Sequence, residues 1–222
     1  MMLRMMAAIA ILSYFGISHS QNIGKESSPE TTLPAIKAMA IMQTLNANLL
    51  ASKSATQTLQ AWCADHNLAS PAKIIAQRDT QAIKNPDEEI RNLLKVSDTE
   101  PVVYRRVKLL CGDYVLSEAD NWYVPALLTE EMNQKLLQTD IPFGAVVRPL
   151  NFHRQTERSR LLWNPLPSNW ERQPISLKMP PLLATMPDEI FQHQAVLLNE
   201  QNIPFSVVIE SYRKAILTSL IQ

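Results

Sequence analysis

Apolar residues recur along this chain with two different periods, and the change from one to the other divides it into helices and strands. From Ala35 to Ala51, Ile36, Met39, Ala40, Leu45, Leu49 and Leu50 fall at helical spacings. A second helix from about Ser54 places Leu59, Trp62, Cys63 and His66 on one face, where His66 reads as a boundary or core histidine. Lys73 to Gln77 reads as a short strand, and Pro86-Asp87-Glu88-Glu89 opens a short helix, its acids suited to the positive N-terminal turn. The period then falls to two. Val102 to Cys111 and Tyr114 to Val124, joined by Gly112-Asp113, predict an antiparallel hairpin that Pro125 ends. Thr129-Glu130-Glu131 begins a helix to about Leu137, Ile141-Pro142-Phe143-Gly144 is a turn, and alternation from Leu150 to Arg158 predicts a strand. Prolines 165, 167, 174, 180, 181 and 187 make residues 164–187 an irregular excursion. A last hairpin pairs Glu189–Leu198 with Phe205–Arg213 across Asn199-Glu200-Gln201-Asn202. Strands bunched together with helices gathered towards one end predict an α+β fold: a single antiparallel β-sheet with helices covering one face.

The N-terminus departs from this pattern. Arg4 is the only charge before Lys25; an uncharged run from Met5 to Ile17 follows it, then Ser18-His19-Ser20. This is the layout of a secretory signal peptide over residues 1–20, which predicts a periplasmic or secreted protein. The run is shorter than the roughly 18–20 residues of a bilayer span, so no stable membrane insertion is expected after cleavage. Residues 21–34 read as a flexible polar leader and 35–222 as one domain.

Charge and composition narrow the chemistry. With 21 basic and 21 acidic residues the chain is balanced, and loss of Arg4 leaves it one unit negative, so a nucleic-acid partner is not expected. The four glycines, at 16, 24, 112 and 144, write neither G-x-G-x-x-G, nor a Walker loop, nor G-x-S-x-G. Histidines 19, 66, 153 and 193 are scattered without metal-ligand spacing, so a dedicated metal site is not expected. Cys63 and Cys111 form either one disulfide or two buried thiols, and spacing does not decide between them. No internal repeat is present, and the chain is expected to act as a monomer.

Three islands carry the remaining candidates. In Tyr104 to Asp113, alternation puts Arg106, Lys108 and Leu110 on one face of a strand and Arg105, Val107 and Leu109 on the other, so one arginine points away from the other. Asn121-Trp122-Tyr123-Val124-Pro125, with Ile141 to Gly144 beyond a helix, forms the second, and the apolar strand from Pro204 that reaches Glu210 forms the third. In order and spacing these islands resemble chorismate pyruvate-lyase. The residues that carry the resemblance are Arg106, Leu109-Leu110-Cys111-Gly112-Asp113, Val124-Pro125, Thr139-Asp140-Ile141-Pro142-Phe143-Gly144 and Glu210, with Leu49 to Thr56 resembling the family's N-terminal helical region. That family works without a cofactor, releasing pyruvate from chorismate to leave 4-hydroxybenzoate, in a closed pocket over an antiparallel sheet. By resemblance Arg106 holds a carboxylate, the backbone at Phe143 and Gly144 meets the ligand, and Glu210 accepts or donates a proton at the ring hydroxyl. Asn121 stands where the family carries a second arginine. The function expected is an exported chorismate lyase-like protein; the alternatives are a non-catalytic exported binding protein for a small aromatic carboxylate and a structural envelope protein.

Overall fold

A computed structural model describes residues 32–221; the stretch expected to be a signal peptide and most of the expected leader lie outside the described residues. In chain order the elements are α1 (Thr32–Ala51), α2 (Ala55–Asp65), β1 (Ile74–Asp79), α3 (Glu88–Leu94), β2 (Val103–Cys111), β3 (Tyr114–Tyr123), α4 (Glu130–Gln138), α5 (Phe143–Val146), β4 (His153–Leu161), α6 (Leu182–Thr185), β5 (Glu189–Leu198), β6 (Pro204–Arg213) and α7 (Ala215–Thr218). Local chemistry sets most of the boundaries. Ser54, Asp87 and Thr129 cap α2, α3 and α4 by accepting from the backbone N–H of Gln57, Ile90 and Met132. Glu88 and Glu89, then Glu130 and Glu131, fill the first turns of α3 and α4. Gly112 turns the first hairpin at φ 56°, with Ala69 packed where a side chain would stand.

The strands form one antiparallel sheet in the order β1-β2-β3-β6-β5-β4. β2 pairs β3 with Arg105 opposite Asn121 and Val107 opposite Ala119; β3 pairs β6 with Ala119 opposite Glu210. One face therefore carries Arg105, Val107, Asn121, Ala119 and Glu210, and across β5 and β4 it continues through His193, Leu197 and Arg154. The main core lies on this face, where Met42, Leu45 and Leu49 of α1 and Leu59 and Trp62 of α2 pack with Phe191, Tyr212 and Cys111. A second cluster joins Met132, Leu136 and Phe143 to Tyr123 and Phe205. On the opposite face α3 sets Ile90 and Leu94 against Trp122, Val196 and Val207.

Three boundaries differ from the sequence reading. α1 begins at Thr32, inside the expected leader, because the Thr32 N–H and hydroxyl bond to the carbonyls of Ile175 and Leu177. The turn at Phe143-Gly144 is one turn of helix, α5. The proline-rich stretch is irregular except for a 3₁₀ turn at Trp170–Arg172 and the short α6, yet it buries Leu166, Leu182 and Met186 in the main core.

Candidate functional site

The site is a cavity between the sheet and the helices. Its floor is Arg105, Val107 and Leu109 of β2, Ala119 and Asn121 of β3, and Val208 and Glu210 of β6. Lys53 to Thr56, the start of α2, and Pro142 to Gly144, the start of α5, close it from above, and Phe152, Arg154 and Leu197 close it from the β4 side. It leaves ≈ 70 Å³ for the centres of water-sized molecules, several times the room one water needs.

Two buried guanidinium groups define its electrostatics. Arg154 reaches from β4 across β5 to Glu210, Nη2 to Oε2 at 2.6 Å, and both side chains are at least nine-tenths buried. Burial works against the Arg154 charge, but the adjacent carboxylate more than offsets this and the group is held firmly protonated. Its Nε is buried without a hydrogen-bond partner among the described residues. The Tyr212 hydroxyl donates to the same Glu210 oxygen at 3.1 Å, and burial pushes that phenol far above its usual range. Arg105 has no carboxylate in contact among the described residues. It donates to the carbonyls of Leu136, Thr139 and Ile141, at and beyond the negative C-terminal end of α4. Burial, then the nearby Arg78, lowers its pKa to about 10, still charged at neutral pH. Ser54 to Thr56 add the positive N-terminal end of an 11-residue helix.

Beside the cavity, on the same face of the sheet, His193 is fully buried opposite Glu210, its Nε2 2.7 Å from Asn46 Oδ1. Asn46 uses its Nδ2 to reach Gln43, so Oδ1 faces the ring and Nε2 carries the proton; Nδ1 is buried without a partner. Burial lowers the His193 pKa from 6.5 to about 4. The unfolded chain thus takes up a proton near pH 6.5, while the native ring resists until about pH 4. The stability contributed is full above pH 6.5 and lost as pH falls to about 4, amounting to about 3 kcal/mol. Urea unfolding between pH 7 and 4 is expected to show this slope in wild type and a flatter one in His193→Gln. Parallel slopes would refute the assignment.

The structure separates the two adjacent arginines, but in the sense opposite to that expected. Arg106 does not enter the cavity: on the other face, it pairs with Glu118 at 2.7 Å and Asp120 at 3.4 Å, with Tyr104 bonded to the same Asp120. Arg105 takes the inward place, because its face of β2 is continued by Val107 and Leu109 and covered by helices. Glu210, Asn121, Phe143 and Gly144 do line the cavity. Asn121 is buried, and its Oδ1 accepts from Ser206 Oγ at 2.8 Å. Arg154 escaped the sequence reading, although alternation from Phe152 puts it on the same inward face as that aromatic ring. Cys63 and Cys111 are joined in a disulfide, and His66 ends α2 with Nδ1 3.0 Å from the Trp62 carbonyl.

No protein-family model matches the sequence. The protein y4mC of Sinorhizobium fredii (strain NBRC 101917 / NGR234), described as uncharacterized, is 46% identical over 214 residues, covering 94% of this chain and 88% of y4mC. The chain belongs to the y4mC family. Among solved structures, PhnF from Mycobacterium smegmatis shares 14% identity at a TM-score of 0.45, over 74% of this chain and 65% of PhnF, less than two thirds of its length. The effector domain of PhnF alone gives 15% identity and a TM-score of 0.43 over 72% of this chain and 88% of the domain. A GntR-family transcriptional regulator from Bacillus cereus gives 12% identity and 0.41 over 63% and 91%. The described elements themselves give the expected α+β fold with its antiparallel sheet.

The expected function does not hold. The solved structures to which the chain is similar include GntR-family regulators and an effector domain, and the expectation of an exported chorismate lyase releasing pyruvate and 4-hydroxybenzoate is corrected on that finding. The geometry agrees in part: Arg106 is turned away, and one Glu210 oxygen, Oε2, is bonded by both Arg154 and Tyr212. Arg106 is therefore not placed to hold a ligand in this cavity, whereas Glu210 lines it.

Proposed function

We propose that the chain is a binding module for a small organic anion with a planar apolar body, of which an aromatic carboxylate is the simplest form. The observation that carries this reading is the Arg154 guanidinium, buried beside the cavity with its Nε unpartnered. A buried donor on a cation is costly to leave unmade, and a carboxylate entering the cavity would satisfy it. The charges agree: Lys53, Arg105 and Arg154 outnumber Glu210 around the space. Val107, Leu109, Phe143, Phe152 and Val208 supply apolar wall for a flat ligand body.

Calorimetry of the full chain with benzoate and with benzamide, a neutral analogue of similar shape, tests the reading. Benzoate is expected to bind at least about tenfold more tightly, the worth of one charge-assisted hydrogen bond. Arg105→Met should weaken benzoate by roughly 2–5 kcal/mol, the usual loss when one partner of a desolvated charge pair is removed, while Arg106→Ala should leave it unchanged. Equal affinities for the two probes, or equal losses from the two substitutions, would overturn it.

A further inference from the structure

We infer that the surface at the N-terminal end of α1 docks on an anionic lipid bilayer. Four large apolar side chains stand exposed there: Leu33 at 60%, Trp170 at 40%, Ile175 at 65% and Leu183 at 60%. Backbone contacts tie the segments that carry them to the start of α1. The bonds from Thr32 to Ile175 and Leu177 set Leu33 beside Ile175. One groove is lined by Ala35 of α1, by Pro167 three residues before Trp170, and by Leu182 next to Leu183.

Three exposed cations accompany this surface, and none takes part in the ion pairs of the described residues: Lys37, Arg172 and Lys178. Lys37 lies one turn beyond Leu33 on the same face of α1. Glu171 is the acid among them, so the surface is net positive. Exposed aliphatic side chains and a tryptophan, ringed by unpaired Lys and Arg, match the boundary between acyl chains and anionic headgroups. A second copy of this chain fits less well, since a two-fold contact would set like charges against each other.

Co-sedimentation of the full chain with phosphatidylcholine vesicles, with and without phosphatidylglycerol, tests the inference. The wild type is expected to partition onto the anionic vesicles preferentially and to be released by high salt. Replacing Lys37, Arg172 and Lys178 together by Gln should lower partitioning by a factor of roughly a hundred, at about fivefold per cation. Trp170→Ser with Leu183→Asp should lower it as well; all five positions are exposed, and circular dichroism checks that the fold is kept. Equal binding to neutral and anionic vesicles, retained by both variants, would assign the affinity to the N-terminal run and overturn the proposal. So would absence of vesicle binding, or self-association that Leu183→Asp abolishes without any effect on lipid.

Discussion

Arg154→Met is expected to destabilise the protein by about 3–5 kcal/mol, because it leaves the Glu210 carboxylate buried with only the Tyr212 hydroxyl for company. The attraction across the pair does not set this cost, since desolvation of two charges consumes most of it. What sets it is the charge left behind. Adding Glu210→Gln to Arg154→Met removes that charge while keeping an oxygen that Tyr212 can bond, so the double variant should recover much of the loss. Anion binding should not recover, since the Arg154 donors are gone in both. Urea midpoints and benzoate calorimetry on the single and double variants separate the two effects. A single variant costing less than about 1 kcal/mol, and no better when doubled, would mean that the pair is solvated and not the desolvated ion pair described above.

The elements were legible in the sequence because their signals are local. Alternation and a Gly-Asp turn define the β2–β3 hairpin within a few residues. Ser, Asp and Thr caps mark three helix starts in the same way. The site was legible only in part. Alternation states that Arg105 and Arg106 face opposite ways, but which is inward depends on what covers the sheet. Family resemblance chose Arg106; the company along the strand, Val107 and Leu109 against Lys108, favours Arg105. Arg154 was missed because β4 is otherwise polar and mostly exposed, with burial pattern dominated by exposed positions. Its inward direction is carried only by Leu150 and Phe152 ahead of it, and its partner Glu210 lies 56 residues away. The His193–Asn46 contact spans 147 residues, a separation no local pattern reports.

Loss of the Cys63–Cys111 disulfide is the other change expected to have a large effect. The bridge joins α2 to the end of β2, with Cα atoms 6.0 Å apart and a sequence separation of 48. Closing a loop of that length restricts the unfolded chain by about 4 kcal/mol on the chain-entropy account. Cys63→Ala with Cys111→Ala should therefore shift the urea midpoint down by a corresponding amount. It should also act on the site, since Ser54 to Thr56 at the start of α2 close the cavity over the β2 floor that holds Arg105. With the bridge gone, helix and strand are held by packing alone, and benzoate affinity is expected to fall even where the protein remains folded. Both cysteines are fully buried, so reductant reaches them only through unfolding, and reduction has to be carried out in denaturant before refolding. Thiol labelling of the unfolded, unreduced protein provides the direct check. Two reactive thiols, together with a midpoint insensitive to reductant, would leave Cys63 and Cys111 as packing residues and remove the clamp between roof and floor.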